Sequence, residues 1–258
     1  MSKYKLDLTQ EFAGRRALVT GGSRGIGGAT AQRLLDGGAK VAVVARSPHA
    51  ETPQGAAFIK GDLRSVEGAN AVAAEALRIL GGLDILVNSA GAARVHLPNI
   101  EAISDEEWLD SLNVNFLSAV RITNALLKAL KESPSAAIVN VTSGGRLPFG
   151  GILAHYGAAK AALNNYTLNL AKDLAPAGIR VNIVTPGPII TPGGDEIRTT
   201  LANAFGVTDA QLLSTVPLKG RAGTSEELAE TIVFLVSDRA SYTTGHNHFV
   251  TGGWGELA

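Results

Sequence analysis

The chain contains no cysteine, which excludes disulfide stapling and thiolate chemistry. It has no net charge: 23 basic residues balance 23 acidic ones, and no basic excess points to nucleic acid or an anionic membrane surface. Long apolar runs are missing, with nothing near the ~18 consecutive apolar residues of a membrane span. The opening MSKYKLDLTQEFAG mixes charges with apolar residues, unlike a secretory leader. There is no internal repeat and no composition break. These absences favour one globular unit, 1–258, with 1–13 as an N-terminal extension, and permit the cytoplasmic location that is expected.

Glycine is abundant. Of its 30 residues, 18 fall in GGSRGIGG, DGGA, LGGL, SGG, FGG, TPGG and TGGWG, where they punctuate segments. Between them, short β-branched runs alternate with helical patterns. Strands are predicted at 16–20, 40–45, 56–61, 83–88, 136–141, 179–184 and 248–250. Several are apolar on successive residues, as suits strands covered on both faces. Helices are predicted near 26–36, 66–80, 104–131, 155–174 and 225–237, two of them opening with capping boxes, Ser104 to Glu107 and Thr224 to Glu227. Repeated strand–helix–strand order implies an α/β fold, a doubly wound, open parallel sheet of about seven strands with helices on both faces. Such sheets bind ligands at the carboxyl ends of their strands, where strand order reverses.

The first predicted strand runs into TGGSRGIGG, residues 20–28. Glycine lets backbone turn tightly and approach a pyrophosphate, while a helix N-terminus offers free N–H groups. An ordinary tight turn is the bland reading. The run 21–25 also matches the G-x-S-x-G nucleophile elbow of hydrolases, which would make Ser23 a nucleophile. An elbow normally follows several strands, though, and only one precedes this turn. Gly27 has no role in an elbow and has one in dinucleotide binding.

Farther on, HYGAAKAAL places Tyr156 and Lys160 four residues apart, on one helical face. Together, T-G-x-x-x-G-x-G and Tyr-x-x-x-Lys resemble the short-chain dehydrogenase/reductase family, in its single-domain branch. NSAG (88–91) resembles that family's N-N-A-G, and Asn115 of VNF lies where the family keeps an Asn. IVNVTS (138–143) resembles the strand ending in the family's catalytic Ser; Ser143 stands thirteen residues before Tyr156. PGPIIT (186–191) resembles its P-G-x-x-x-T turn. The resemblance spans roughly 14–254 and implies hydride transfer between a nicotinamide and a carbonyl or alcohol carbon.

The chemistry explains the residue types. A carbonyl oxygen receiving hydride becomes an alkoxide and needs a proton; a phenol can donate one, but its ordinary pKa is near ~10. A neighbouring ammonium favours the phenolate, so Lys160 is expected to lower the pKa of Tyr156. Ser143 is expected to hydrogen-bond the substrate oxygen. The resemblance further implies that Lys160 holds the nicotinamide ribose and that Asn115 holds a relay water. Taken singly, Lys160 reads as a solvated lysine, Ser143 as a turn serine and Asn115 as a partner for buried backbone.

Cofactor choice turns on another absence. An NAD site usually carries Asp or Glu about twenty residues beyond the glycines. Here that count reaches Ala45, followed by Arg46. Arg46, flanked by Arg24, offers a guanidinium fork for a 2′-phosphate, so NADP(H) is expected over NAD(H). The implied cofactor contacts are Gly21, Ser23, Arg24, Gly25, Ile26, Gly27, Arg46, Asp62, Leu63, Asn88, Ala90, Gly91, Tyr156, Lys160, Pro186, Gly187, Ile189 and Thr191. Asp62 would face the adenine, although an Asp there also reads as a helix cap. Ser89 replaces the family's second Asn.

Residues 188–218 are expected to form a mobile substrate lid. Leu147, Phe149, Ile152 and Ile190 suggest an apolar pocket for a small carbonyl or alcohol, with Arg146 to accept an acidic group. His155 should face away from the site, since successive helical residues point about 100° apart. His246 and His248 lack a third ligand in sequence, so no metal is expected. VTGGW departs at Thr251 from the family's V-D-G-G, in a region that commonly packs between subunits; a homo-oligomer, dimer or tetramer, is expected. Two readings compete with turnover of a small-molecule substrate: a nucleotide-binding sensor on the same fold, and the hydrolase.

Overall fold

The computed structural model describes residues 8–144 and 151–255. Seven strands, β1 (Arg16–Thr20), β2 (Lys40–Ala45), β3 (Ala57–Lys60), β4 (Ile85–Asn88), β5 (Ala137–Val141), β6 (Arg180–Pro186) and β7 (Asn247–Val250), form one parallel sheet ordered β3-β2-β1-β4-β5-β6-β7. Six longer helices connect or flank them, α1 (Gly25–Asp36), α2 (Val66–Leu80), α4 (Ser118–Lys131), α5 (Ala154–Leu174), α6 (Pro192–Phe205) and α8 (Ser225–Val236), together with the shorter α3 (Asp105–Leu112) and α7 (Asp209–Leu213).

Successive strand residues point to opposite faces, which sorts the continuous apolar runs into two cores. Leu18, Ala42, Val44, Leu86 and Ile138 pack under α2, α4 and the end of α5. Ala17, Val19, Val41, Val43, Ile85 and Val139 pack under α1 and α8. The expected extension contributes to the second core, because Phe12 is fully buried and its N–H donates to the Gly37 carbonyl. Ion pairs from Glu11 to Arg33 and Arg239 hold it there.

Two expectations need correction. The helix predicted across 104–131 is interrupted by a π-type turn at Asn113–Leu117. The Asn115 amide donates to the Ser111 carbonyl four residues back and to the Ala92 carbonyl outside the helix, competing with the regular ladder. The box at Ser104 is half made: Ser104 caps the Glu107 N–H, but the Glu107 carboxylate goes to Arg94 and His96 instead of the cap backbone. The complete box forms at Thr224. The segment 188–218, expected as a lid, is largely helical. Thr191 caps α6 with Pro192 in its first turn, and Thr208 with Gln211 boxes α7.

Candidate active site

The chain leaves β1 toward β2 on one side, while β4 lies on the other, so a crevice opens above their carboxyl ends. A cleft of about 800 Å³ occupies it. Gly21 turns the chain at φ +66°, and a Cβ there would sit 2.9 Å from the Ala90 Cα. Only glycine permits that approach. A Cβ on Gly27 would collide with the Gly21 carbonyl, so Gly27 lets α1 seat against the turn. The Thr20 hydroxyl accepts the N–H groups of Ser89 and Ala90, each at 3.1 Å, and locks the β1 turn to the β4 turn. Arg24 stands extended at the start of α1 and makes no side-chain cap. The first-turn N–H groups of α1 therefore face the cleft without a side-chain acceptor, which fits a pyrophosphate.

The opposite wall comes from β5 and α5. Ser143, Tyr156 and Lys160 all line the cleft. Lys160 is buried, and its ammonium donates to the Val141 carbonyl at 2.9 Å. Its Nζ lies 5.9 Å from the Tyr156 ring centroid. Desolvation lowers the Lys160 pKa to about 8. The phenol does not follow expectation: burial pushes the Tyr156 pKa up, against an opposing hydrogen bond with Ser143. Burial outweighs the Ser143 hydrogen bond in that balance. Gly91 brings backbone close to the wall, since a Cβ there would lie 3.0 Å from Asn115 Oδ1 and 3.4 Å from Lys160 Nζ.

A family profile described as "Enoyl-(Acyl carrier protein) reductase" matches residues 21–255, nearly the whole chain. The chain belongs to the short-chain dehydrogenase/reductase family. It is an oxidoreductase of that family. It is 36% identical over 249 residues to the 3-oxoacyl-[acyl-carrier-protein] reductase FabG of Escherichia coli, covering 94% of this chain and 98% of the relative. Identity to the short-chain reductase protein NovJ of Streptomyces niveus is 34% over 248 residues, 92% of each chain. Among solved structures, an NADPH-bound short-chain oxidoreductase of Pseudomonas aeruginosa, with a catalytic centre described as atypical, superposes at TM-score 0.84 and 33% identity, covering 96% of this chain and 99% of that one.

Within this short-chain dehydrogenase/reductase, the expected cofactor residues Gly21, Ser23, Arg24, Gly25, Ile26, Gly27, Arg46, Asp62, Leu63, Ala90, Gly91, Pro186, Gly187, Ile189 and Thr191 line the cleft. Asn88 does not. It is buried behind the turn and donates to Asn140 Oδ1 (2.8 Å) and Thr123 Oγ1 (3.2 Å), which supports the β4 turn from below. Asn115 also lies off the cleft surface. Its Oδ1 accepts the Ala92 N–H and its amide is spent on Ala92 and Ser111, so the side chain acts as a clamp on loop 92. Asp62 pairs with Arg64, whose hydrogen bonds lower its pKa; the cap of α2 is Ser65 instead.

Arg24 and Arg46 are exposed at the cleft and, among the described residues, neither forms an ion pair within salt-bridge distance. On the substrate side, Ile152 is buried and Ile190 lines a separate cavity of about 620 Å³ beside Arg198 and Arg221, so neither belongs to the main cleft. Arg146, Leu147 and Phe149 lie outside the described residues. Leu153, Leu201, Phe205 and Trp254 supply apolar lining that sequence reading missed. The Trp254 ring packs where a Cβ on Gly144 would come within 3.3 Å. The glycines of TGGWG marked a turn there, but nothing local says that the turn delivers an indole to the site. His155 is buried, as expected of a residue turned from the cleft.

Proposed function

We propose that this chain interconverts a carbonyl and a secondary alcohol with NADP(H), using Tyr156 as general acid/base on a small, largely apolar substrate. The observation that carries the reading is the gathering of Ser143, Tyr156 and Lys160 on one wall of the cleft whose other wall is the glycine turn. When bound, the nicotinamide supplies or accepts the hydride. The raised pKa of Tyr156 keeps its phenol protonated at neutral pH, the state needed to donate to a substrate oxygen during reduction. Ser143 hydrogen-bonds that oxygen and the phenol. Lys160, held by the Val141 carbonyl, is the cation beneath the ring and a donor for ribose hydroxyls. Asn115 positions loop 92 beside this wall.

Arg46, with Arg24, supports NADP(H): both fork-shaped donors stand exposed beside the glycine turn. The apolar lining, with relatives named for 3-oxoacyl carrier-protein reduction, makes a 3-oxoacyl thioester the first substrate to try. A homo-oligomer, dimer or tetramer, in the cytoplasm belongs to the same reading.

The test is NADPH oxidation across 3-oxoacyl thioesters, ketones and aldehydes. Tyr156→Phe should lower turnover by about 10²–10⁴-fold and leave cofactor affinity within a few-fold. Turnover retained in that variant removes the tyrosine from the mechanism. Tight NADPH binding with no oxidation on any carbonyl favours the sensor. Arg46→Ala should weaken NADPH by about tenfold or more and leave NADH nearly unchanged, read by fluorescence titration.

A further inference from the structure

Three side chains that the proposed reaction does not use meet behind the tyrosine helix. His96 comes from the segment after β4, Glu107 from α3 and His155 from the first turn of α5. One ligand atom from each lies within 4.8 Å of the other two. His96 Nε2 stands 3.6 Å from Glu107 Oε2, and the two imidazole rings meet edge to face at 4.9 Å between centroids.

Two features distinguish this cluster from a packed polar contact. His155 is buried, and its Nδ1 has no hydrogen-bond partner. His96 Nε2 is likewise buried without a hydrogen-bond partner. Two unsatisfied imidazole nitrogens in one small space are costly without an acceptor or a shared cation. The backbone around them is fixed: the His96 N–H donates to the Ile152 carbonyl, Ser104 caps the Glu107 N–H, and the Trp108 ring backs His155 edge-on at 6.2 Å. Arg94 takes Glu107 Oε1 at 2.9 Å and leaves Oε2 turned toward His96. The side chains of His96 and Glu107 stay partly exposed, which gives an ion access from solvent.

We propose that His96, Glu107 and His155 form a three-ligand site for a divalent transition cation of the zinc class, separate from the cofactor cleft. Two imidazoles and one carboxylate match the donor preference of zinc, and its tetrahedral geometry leaves a fourth position for water. Ligand atoms around such an ion stand about 3.5 Å apart, so the three need only small side-chain rotations to close on it. An ion there ties the segment after β4 and α3 to the start of α5, one residue from Tyr156. His246 and His248, tilted against each other at 4.4 Å between ring centroids, are the rival pair. Among the described residues they lack a third ligand in reach.

The test is calorimetric titration of chelator-treated full chain with zinc chloride. The expected result is one ion per chain, with His96→Ala and Glu107→Gln each weakening binding by more than about tenfold, at least what second-shell changes cost at zinc sites. A His246→Ala/His248→Ala double variant should bind as the parent does. Zinc should also raise the melting temperature of the parent and of the double variant, but not that of His96→Ala. In zinc-soaked crystals, the anomalous peak should fall among the three side chains. No stoichiometric binding, or binding that survives either single variant, overturns the proposal, as does binding lost with His246 and His248.

Discussion

The two ends of the sheet solve opposite problems. At the amino ends of β1 and β4, the charged pair Arg16 and Asp84 is closely bonded. Asp84 accepts from the Arg16 main-chain N–H (2.8 Å), from Arg16 Nε and Nη2 (2.9 Å each) and from the Ser133 hydroxyl (2.7 Å). Arg16 Nη1 spans to the Gly81 carbonyl. At the carboxyl ends, a buried ammonium has one protein acceptor at 2.9 Å, a half-buried phenol lines the cleft, and glycines stand where side chains would collide. The difference shows a division of labour. One end fastens β1 to β4 and the α4–β5 connection; the other holds charge and open backbone in states that only a ligand completes.

The sharpest way to break the comparison is Asp84→Ala. It should destabilise the fold by about 3 kcal/mol, because it leaves the Arg16 guanidinium and two part-buried donors, the Arg16 N–H and the Ser133 hydroxyl, unanswered. Chemical denaturation reads this, and turnover of the folded fraction should stay near parental. Asp84 also sets a pH signature. Burial pushes its pKa up, but the Arg16 and Ser133 hydrogen bonds outweigh this and hold it at about 2. A carboxylate with a depressed folded pKa contributes fully above its unfolded value near pH ~4 and loses that contribution as pH falls toward about 2. The parent should lose about 2 kcal/mol across that window relative to Asp84→Asn, measured by urea unfolding at each pH.

The opposite end should respond in the opposite direction. Lys160→Met removes a cation whose folded pKa is lowered to about 8 by burial. That variant should lose turnover yet gain about 1 kcal/mol of stability at pH 7 in thermal unfolding. The stability gap should narrow as pH rises from about 8 toward the ordinary lysine value, because the parent sheds the buried charge there. A destabilised Lys160→Met would show that the ammonium anchors Val141 more than it strains the site.

Much of this was legible in the sequence because the signals were local. Short β-branched runs placed all seven strands, and the alternation of strand and helix implied that they run parallel, as they do. The glycine turn could be read because positive φ and close backbone approach demand glycine in any context. Interactions across sequence distance were harder. Nothing near Asn115 announces that its amide bonds to Ala92, or that helix 104–131 breaks there. Trp254 reaches the cleft only because β7 lies beside β6. The pKa of Tyr156 was misjudged for the same reason: spacing gives the nearness of Lys160, whereas burial depends on the whole wall.

Arg24 begins α1 with no side-chain cap, at a position where serine or aspartate would ordinarily close the helix for about 1 kcal/mol. The chain forgoes that closure, and the missing acceptor must come from outside. An anion seated there finishes the helix as a capping residue would, so cofactor occupancy and the integrity of the first turn become one equilibrium. Hydrogen exchange at Ile26 and Gly27 should slow when dinucleotide is present, far from any atom that reacts.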